Sequence, residues 1–310
     1  MSHDDRGSMR LNFSFLFCLS AIFVVQLALV SPSVSLACAS CGSGSDDPLI
    51  LWPNEQLKSY LGVSTSNRFE TVDTQGRLGR ESGPTSRDAL TLALGKALRN
   101  DLFMTVTLPF QQNRLSGASL RSVGDPLLAV RWTWLLPDFT APQQPQIQLM
   151  ASHKFAHARS QQEVGRLDLL DAFGTGLPET KLGVDVFWGQ SPIKGGFAVG
   201  ALFPEERILG RNSVFAGNGL RSTATLGLSL GGYNKVLAGV VREYREERRD
   251  GGRRVAGSEV LAHSYFLTLD WTPANLQTLR FSFSDRGRIL TNKNMIAASA
   301  FSVAWLSTWE

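Results

Sequence analysis

Hydrophobic and polar residues alternate with a period of two along most of the chain. In residues 180–189, Leu182, Val184 and Val186 alternate with small or charged residues, and a second run of the same kind follows in residues 196–204. A period of two is typical of extended strands that have one apolar face. The pattern therefore predicts antiparallel β-structure.

Twelve alternating runs are predicted along the chain. They span residues 57–70, 86–98, 101–110, 126–136, 145–156, 180–189, 196–204, 221–231, 235–245, 259–271, 275–285 and 294–309. The connections between them alternate between long and short, as the outer loops and periplasmic turns of a membrane barrel do. We therefore predict an all-β fold, a transmembrane antiparallel up-and-down β-barrel of about 12 strands. About 10 or 14 strands are the alternatives, because boundaries inferred from sequence shift by about 2 to 4 residues.

The two faces of each predicted strand differ in polarity. One face is apolar, as in Leu226, Leu228 and Leu230, and is expected to face lipid. A charge facing lipid at the midplane costs about 2 to 4 kcal/mol, so mid-strand charges should point into the barrel. The residues predicted to line the lumen are Arg131, Thr133, Lys181, Asp185, Asp270, Arg280 and Ser282. Since acidic groups offset most of the basic ones, we expect passage that is nearly neutral or slightly anion-preferring.

Tryptophans recur near the ends of the predicted strands. They are Trp132, Trp134, Trp188, Trp271, Trp305 and Trp309. Membrane barrels carry girdles of aromatic residues at both lipid–water interfaces. These six side chains are therefore predicted to lie at the interfaces with the lipid headgroups.

Composition narrows the class of protein. Of 310 residues, 43% are hydrophobic and 19% charged, which does not suggest disorder. Beyond the N-terminus no apolar run reaches about 18 residues, so a helical membrane protein is not expected. The chain is basic, with a pI near 9.1, but no basic run with interleaved aromatics suggests nucleic acid. The mixed-charge run 242–254 is expected in an outer hairpin, and its alternative role is to contact lipopolysaccharide phosphates.

The N-terminus has the pattern of a signal peptide. Arg10 precedes the apolar stretch 11–30, and small residues follow up to Ala37. We expect a signal peptide over 1–37, with Met9 as an alternative start, a head over 38–56 and the barrel over 57–310. An uncleaved anchor and a lipoprotein signal are the alternatives. Together with the barrel pattern, a secretion signal predicts the bacterial outer membrane, with its lipid and lipopolysaccharide as partners.

A cysteine pair lies in the predicted flexible periplasmic head. Cys38 and Cys41 are followed by Gly42, where covalent haem attachment would need a histidine. Two thiolates are half the ligands of a closed zinc site. A local disulfide, free thiols, or a site for a soft metal such as copper stay open. No other cofactor is predicted.

Three short motifs resemble a known family. They are Gly124-Asp125-Pro126-Leu127-Leu128, Phe173-Gly174-Thr175-Gly176 and Leu182-Gly183-Val184-Asp185. They are similar to motifs of the outer-membrane channel family of the MetA pathway of phenol degradation. The Cys38–Gly42 head resembles a subset of such barrels, and the resemblance covers roughly residues 50–310. It implies passage of small solutes, often apolar or aromatic.

Enzymatic chemistry is not expected. On one strand His153 and His157 would be about 13 Å apart, too far to share an ion, and the glycine pairs do not open a helix as a dinucleotide loop requires. The sequence therefore predicts a porin-like channel for small molecules. A metal- or thiol-handling protein anchored by its barrel, and a structural barrel with a plugged lumen, are the alternatives.

Overall fold

A computed structural model describes the barrel region of the chain. The described residues are 48–51, 55–81, 86–115, 117–136, 144–159, 170–188, 192–209, 212–230, 234–274, 276–288 and 290–309. The predicted signal peptide and the Cys38/Cys41 pair lie outside these residues, so both stay predictions.

All the regular structure in the described residues is β-strand. The strands are β1 (Leu57–Val72), β2 (Leu78–Glu81), β3 (Ser86–Arg99), β4 (Leu102–Leu115), β5 (Ala118–Val123), β6 (Leu127–Leu135), β7 (Gln146–Lys154), β8 (Glu179–Trp188), β9 (Ile193–Pro204), β10 (Arg207–Leu209), β11 (Asn212–Phe215), β12 (Gly219–Ser229), β13 (Lys235–Arg245), β14 (Arg249–Asp250), β15 (Arg253–Arg254), β16 (Val260–Ala274), β17 (Gln277–Arg286) and β18 (Met295–Trp309).

Twelve of these strands close into an antiparallel barrel. Their order around the wall is β1, β3, β4, β6, β7, β8, β9, β12, β13, β16, β17 and β18. The barrel closes because β18 pairs back with β1, from Leu57 opposite Trp309 to Val72 opposite Met295. Each predicted run overlaps one barrel strand, so the predicted fold and strand number are confirmed.

The remaining short strands extend the long connections at one end of the barrel. β2 pairs with β1, and β5 pairs with the outer half of β4. A separate four-stranded sheet, in the order β10, β11, β14 and β15, is built from the connections that follow β9 and β13. We refer to this end as the mouth, and to the end with the short turns as the periplasmic end.

The outer wall presents apolar side chains to its surroundings. Leu226 and Leu267, on β12 and β16, are 63% and 52% exposed. Such a band is unfavourable in water and is the surface that lipid requires. The exterior is therefore that of a bacterial outer-membrane barrel. Within the described part of the chain, no helix is long and apolar enough to cross a membrane.

Close packing of an aromatic ring on a glycine holds the wall in register. Phe266 on β16 covers Gly239 on β13, and a Cβ atom at Gly239 would lie 2.3 Å from the ring. A side chain at this position would displace the ring, since such a separation is far below van der Waals contact. Glycine at position 239 therefore lets Phe266 lie flat against the inner wall.

Candidate functional site in the barrel interior

Two ion pairs link nearby strands on the inner face of the wall. Arg131 on β6 donates to the Asp185 carboxylate on β8, and both side chains are buried. Arg280 on β17 donates to Asp270 on β16 through two parallel bonds, Nε to Oδ1 at 2.7 Å and Nη2 to Oδ2 at 2.9 Å. A two-point contact between guanidinium and carboxylate fixes both groups. Four of the predicted lumen residues are therefore mutually compensated, which the strand pattern alone did not show.

The other predicted lumen residues lie on the same inner face. Thr133 Oγ1 accepts a hydrogen bond from Gln148 Nε2 at 3.2 Å, and the hydroxyl groups of Ser282 and Thr268 are 3.0 Å apart. Lys181 is half-buried and lies at an interior cavity. Whether a solute touches any of these side chains stays a prediction.

The N-terminal segment, residues 48–51 followed by Glu55, occupies the barrel interior. Leu49 packs with Ala93 and Leu306, while Ile50 and Leu51 pack with Phe103 and Phe187. These partners come from β3, β18, β4 and β8, which lie on different sides of the barrel, so the segment crosses the lumen. The structure thus differs from the expectation of a flexible head over 38–56 at residues 49–51 and at Glu55, which are buried.

A buried lysine ties this segment to the first strand. Lys58 Nζ donates to the Ile50 carbonyl at 3.1 Å and to both Glu55 carboxylate oxygens at 3.0 and 2.9 Å. Lys58 and Glu55 are each 1% exposed. A buried lysine is stable only when its charge is paired and hydrogen-bonded, and here both conditions are met. Neither residue was predicted, although Lys58 lies on the inward-facing register of β1.

A small cavity remains beside the N-terminal segment. Its volume is about 30 Å³. Its wall combines apolar Ile50, Met150 and Phe187 with the charged Lys181 and the hydroxyl of Thr225. A space of this size holds only a few water molecules.

Several buried polar atoms near this cavity have no protein partner among the described residues. They include both side-chain polar atoms of Gln146 and the Oε1 atom of Gln148, adjacent inward residues of β7. Buried polar groups without a partner are unusual in folded proteins. These amides are able to bond water or a polar group of a solute in the lumen.

The six predicted interface tryptophans lie at one end of the barrel. They occupy the periplasmic ends of β6, β8, β16 and β18. Trp132, Trp134, Trp188 and Trp271 are exposed, and Trp305 and Trp309 are partly exposed. The prediction of two tryptophan girdles thus differs from the structure, which shows one in the described residues, because all four strands run towards the periplasmic end and carry their tryptophans near their C-terminal ends.

One of these tryptophans is anchored by a turn. Trp132 Nε1 donates to the carboxylate of Asp101 at 2.9 Å, and Arg99 donates to the same carboxylate. The hydrogen bonds from Arg99, with a smaller effect from the bond from Trp132, lower the pKa of Asp101 to about 2. The carboxylate therefore stays ionised and keeps the indole in place at neutral pH.

The histidines are dispersed. His153 Nδ1 lies 3.0 Å from Thr180 Oγ1 at the end of β7, His157 lies beyond that strand, and His263 Nδ1 lies 3.0 Å from the Thr291 carbonyl. In the described part of the chain, no group of three or more histidine, cysteine or acidic residues is arranged to hold a metal. The Cys38/Cys41 metal hypothesis concerns residues outside that part.

Comparison with solved structures shows the same architecture elsewhere. The COG4313 outer membrane channel from Pseudomonas putida F1 superimposes with a TM-score of 0.67 at 9% identity, covering 87% of this chain and 100% of that chain. The NanC porin gives a TM-score of 0.49 at 10% identity, covering 81% of this chain and 100% of the porin. The KdgM porin in complex with oligogalacturonate gives 0.44 at 8% identity, covering 81% and 99%.

Sequence comparison adds no closer relative. The chain matches no protein-family model and no curated protein. The first likeness establishes the outer-membrane barrel fold, and the predicted membership of the phenol-pathway family stays a prediction.

Proposed function

We propose that this protein is an outer-membrane channel that lets small solutes cross. The observation that carries the proposal is a closed barrel whose wall is apolar outside, while inside it holds paired charges, unpartnered amides and a short chain segment instead of a packed apolar core. A barrel of about eight strands is filled by its own side chains, whereas about 16 strands leave an open channel. A twelve-stranded barrel leaves an interior of intermediate width, which the N-terminal segment narrows further.

The proposed solute is small and has an apolar or aromatic body, and it meets the lining of the cavity only after the N-terminal segment has moved, because the cavity otherwise holds only a few water molecules. Ile50, Met150 and Phe187 offer apolar contact at the cavity, and Lys181 and Thr225 offer polar contact at its edge. Ligand sites commonly combine a mostly apolar lining with a few polar groups that orient the ligand. Since Arg131 and Arg280 are neutralised by their partners, we expect ion preference to be slight and, where present, for anions.

The test is conductance in a planar bilayer and solute entry into liposomes. We expect the parent protein to conduct weakly and to admit only small solutes. A variant with Leu49, Ile50 and Leu51 all replaced by serine should conduct several-fold more, because the segment loses the apolar contacts that hold it in the lumen. Ile208→Ser, on the exposed face of the extramembrane sheet, is the matched control and should leave conductance unchanged.

The outcomes separate the alternatives. If neither the parent nor the triple variant conducts, the channel proposal is wrong and a structural barrel with a plugged lumen explains the fold better. Conduction by the triple variant alone would mean that the lumen is closed until the segment leaves. A copper titration of the complete mature protein addresses the remaining alternative, a thiol site at Cys38 and Cys41.

The exterior near the mouth carries the proposed contact with lipopolysaccharide. Arg242 on β13 lies opposite His263 on β16 in the strand register. Lys293 forms an isolated backbone β-bridge with Leu261, two residues before His263 on β16. His263 lies eight residues before Trp271 on β16, which places it roughly 20 Å above that residue for a tilted strand. This height is close to that of the headgroups of the outer leaflet, where a charged side chain meets lipid phosphates.

Lipopolysaccharide binding is measured as the rise in the unfolding temperature when lipopolysaccharide is added to the protein in neutral detergent. We expect the joint replacement of Arg242 and Lys293 by alanine to reduce this rise, because charge-assisted bonds to phosphate are lost. Arg121→Ala, an exposed arginine on β5, is the control. An equal rise in all three proteins would contradict the proposed contact.

A further inference from the structure

Two of the sequence motifs, far apart in the chain, meet at the mouth of the barrel. The mouth loop is represented by two arms, residues 155–159 (the outer arm) and residues 170–178 (the inner arm), which are the described parts of the connection between β7 and β8. The Asp125 carboxylate accepts hydrogen bonds from the backbone nitrogens of His157 at 3.1 Å, Ala158 at 2.9 Å and Thr175 at 3.1 Å. One side chain thus holds both arms of the mouth loop.

The arms are also joined to each other beside this carboxylate. Phe173 and Gly174 donate their backbone N–H groups to the Arg159 carbonyl at 3.0 and 3.1 Å. A Cβ atom at Gly174 would lie 2.5 Å from an oxygen of Asp125, so a side chain there would displace this carboxylate. The glycine-rich motif and the aspartate therefore fit each other as one closed unit.

The inner arm of the loop enters the mouth of the barrel. Asn113 Nδ2 donates to the carbonyls of Leu170 and Ala172 at 2.9 and 3.0 Å, and Arg87 Nη2 donates to Ala172 at 2.8 Å. Asn113 is fully buried and Leu170 is 1% exposed. Since Arg87 and Asn113 lie on the inner faces of β3 and β4, the inner arm covers part of the opening.

Asp125 lies where β4 changes its neighbouring strand from β6 to β5. β4 pairs with β6 only over Leu102–Thr107, and its outer half pairs with β5 instead. Asp125 lies two residues before β6, and the neighbouring Gly124 donates its backbone N–H to the Pro109 carbonyl at 2.7 Å. The aspartate is thus fixed to the wall on one side and grips the mouth loop on the other.

We propose that Asp125 is a positioning residue that clasps the two arms and so holds the inner arm, residues 170–178, as a lid over the outer opening, and that this lid limits entry of solute into the lumen. The inference deepens the proposed channel function and rests on it. Both carboxylate oxygens are needed, because Oδ1 accepts from His157 and Ala158 while Oδ2 accepts from Thr175. An amide offers one acceptor oxygen and would face a backbone N–H with its own NH₂ group.

The experiment compares the parent with Asp125→Asn and Asp125→Ala. In each we measure single-channel conductance in a planar bilayer and, by mass spectrometry, the hydrogen exchange of peptides that contain Ala158 and Thr175. We expect exchange at these amides to rise about tenfold or more in Asp125→Ala, because charge-assisted hydrogen bonds are lost, and conductance to rise with it. Asp125→Asn should give an intermediate value in both measurements.

Asp88→Asn is the matched control. Asp88 lies on β3 and pairs with Arg114 at 2.7 Å. The substitution therefore removes a carboxylate near the mouth without changing a contact of the loop. It should leave loop exchange and conductance at the parent values, while all variants retain the heat-modifiable folded band on a gel.

The outcomes separate the lid from the channel. A conducting parent with faster loop exchange but unchanged conductance in Asp125→Ala would overturn the lid and leave the channel proposal standing. If the parent does not conduct and Asp125→Ala does, the result would support the lid and show a gated channel. If neither conducts although exchange rises, both proposals fail.

Discussion

Replacing Asp185 with alanine removes the carboxylate that faces Arg131 inside the barrel, and the cost of this change reports how dry the interior is. The side chains of Arg131 and Asp185 are 1% and 7% exposed. Breaking a buried ion pair by removing one partner costs about 3 to 5 kcal/mol, because a charge is left in a medium that solvates it poorly. An ion pair that water reaches contributes about 1 kcal/mol or less.

The low exposure of both side chains favours the larger cost, even though the pair lines a cavity that has room for a few water molecules. We therefore expect Asp185→Ala to lower the free energy of unfolding by about 3 to 5 kcal/mol. Joint replacement of Arg131 by methionine and Asp185 by leucine removes both charges, and we expect it to recover most of this loss. The measurement is urea unfolding in lipid vesicles, followed by tryptophan fluorescence and by heat-modifiability on gels.

Asp88→Ala is the matched control for this measurement. It breaks a pair with Arg114 whose side chains are 31% and 54% exposed, so we expect a loss of about 1 kcal/mol or less. If Asp185→Ala costs no more than the control, the interior around Arg131 is filled with water and the reasoning from burial is wrong.

Three further changes test other parts of the structure. Leu267 lies on the lipid face, about 10 Å above the periplasmic interface, so Leu267→Arg should destabilise the folded barrel by about 2 to 4 kcal/mol and impair its insertion into vesicles. Thr225→Arg, on the inner face, should insert normally. Equal insertion of the two variants would contradict the assignment of faces. Glu55→Gln should loosen the N-terminal segment, because it removes the carboxylate partner of Lys58. We expect faster hydrogen exchange of residues 48–56 in this variant. Unchanged exchange would mean that the bond from Lys58 to the Ile50 carbonyl is a sufficient anchor. The pKa of Asp101 is lowered to about 2, so its carboxylate stabilises the folded state above the ordinary pKa near 4, and this contribution is lost as the pH falls towards 2. The difference in stability between the parent and Asp101→Ala should therefore shrink between about pH 4 and pH 2. A constant difference would contradict the hydrogen bonds as the cause.

The strands and their faces could be predicted from the sequence because they depend on local order. In a strand, neighbouring side chains point to opposite sides whatever the partner strand is. The alternation of Leu226 and Leu228 with small residues therefore indicated both the strand and its apolar face. Alternating long and short connections then indicated the barrel, since each hairpin needs only its own turn.

The contents of the lumen could not be predicted in this way. Leu49, Ile50 and Leu51 form an apolar triplet before the first strand, and nothing in its period distinguishes a linker from a segment that packs inside. The triplet fits because closing the barrel places gaps at Ala93 and Gly95 opposite it; Leu51 lies so near Gly95 that a Cβ atom there would be 2.5 Å away. The gaps come from small residues on β3, but only the folded barrel places them opposite the triplet.

Contacts between distant parts of the chain were likewise decided by the tertiary structure. The sequence supplied an aspartate at position 125 and a glycine-rich run at 173–176, and it supplied inward charges such as Arg131. It did not indicate that Asp125 would meet Thr175, or that Arg131 would pair with Asp185. Residue patterns along a strand specify which side of the wall a group faces, but its partner on another strand depends on strand order and register, which many distant pairings determine together.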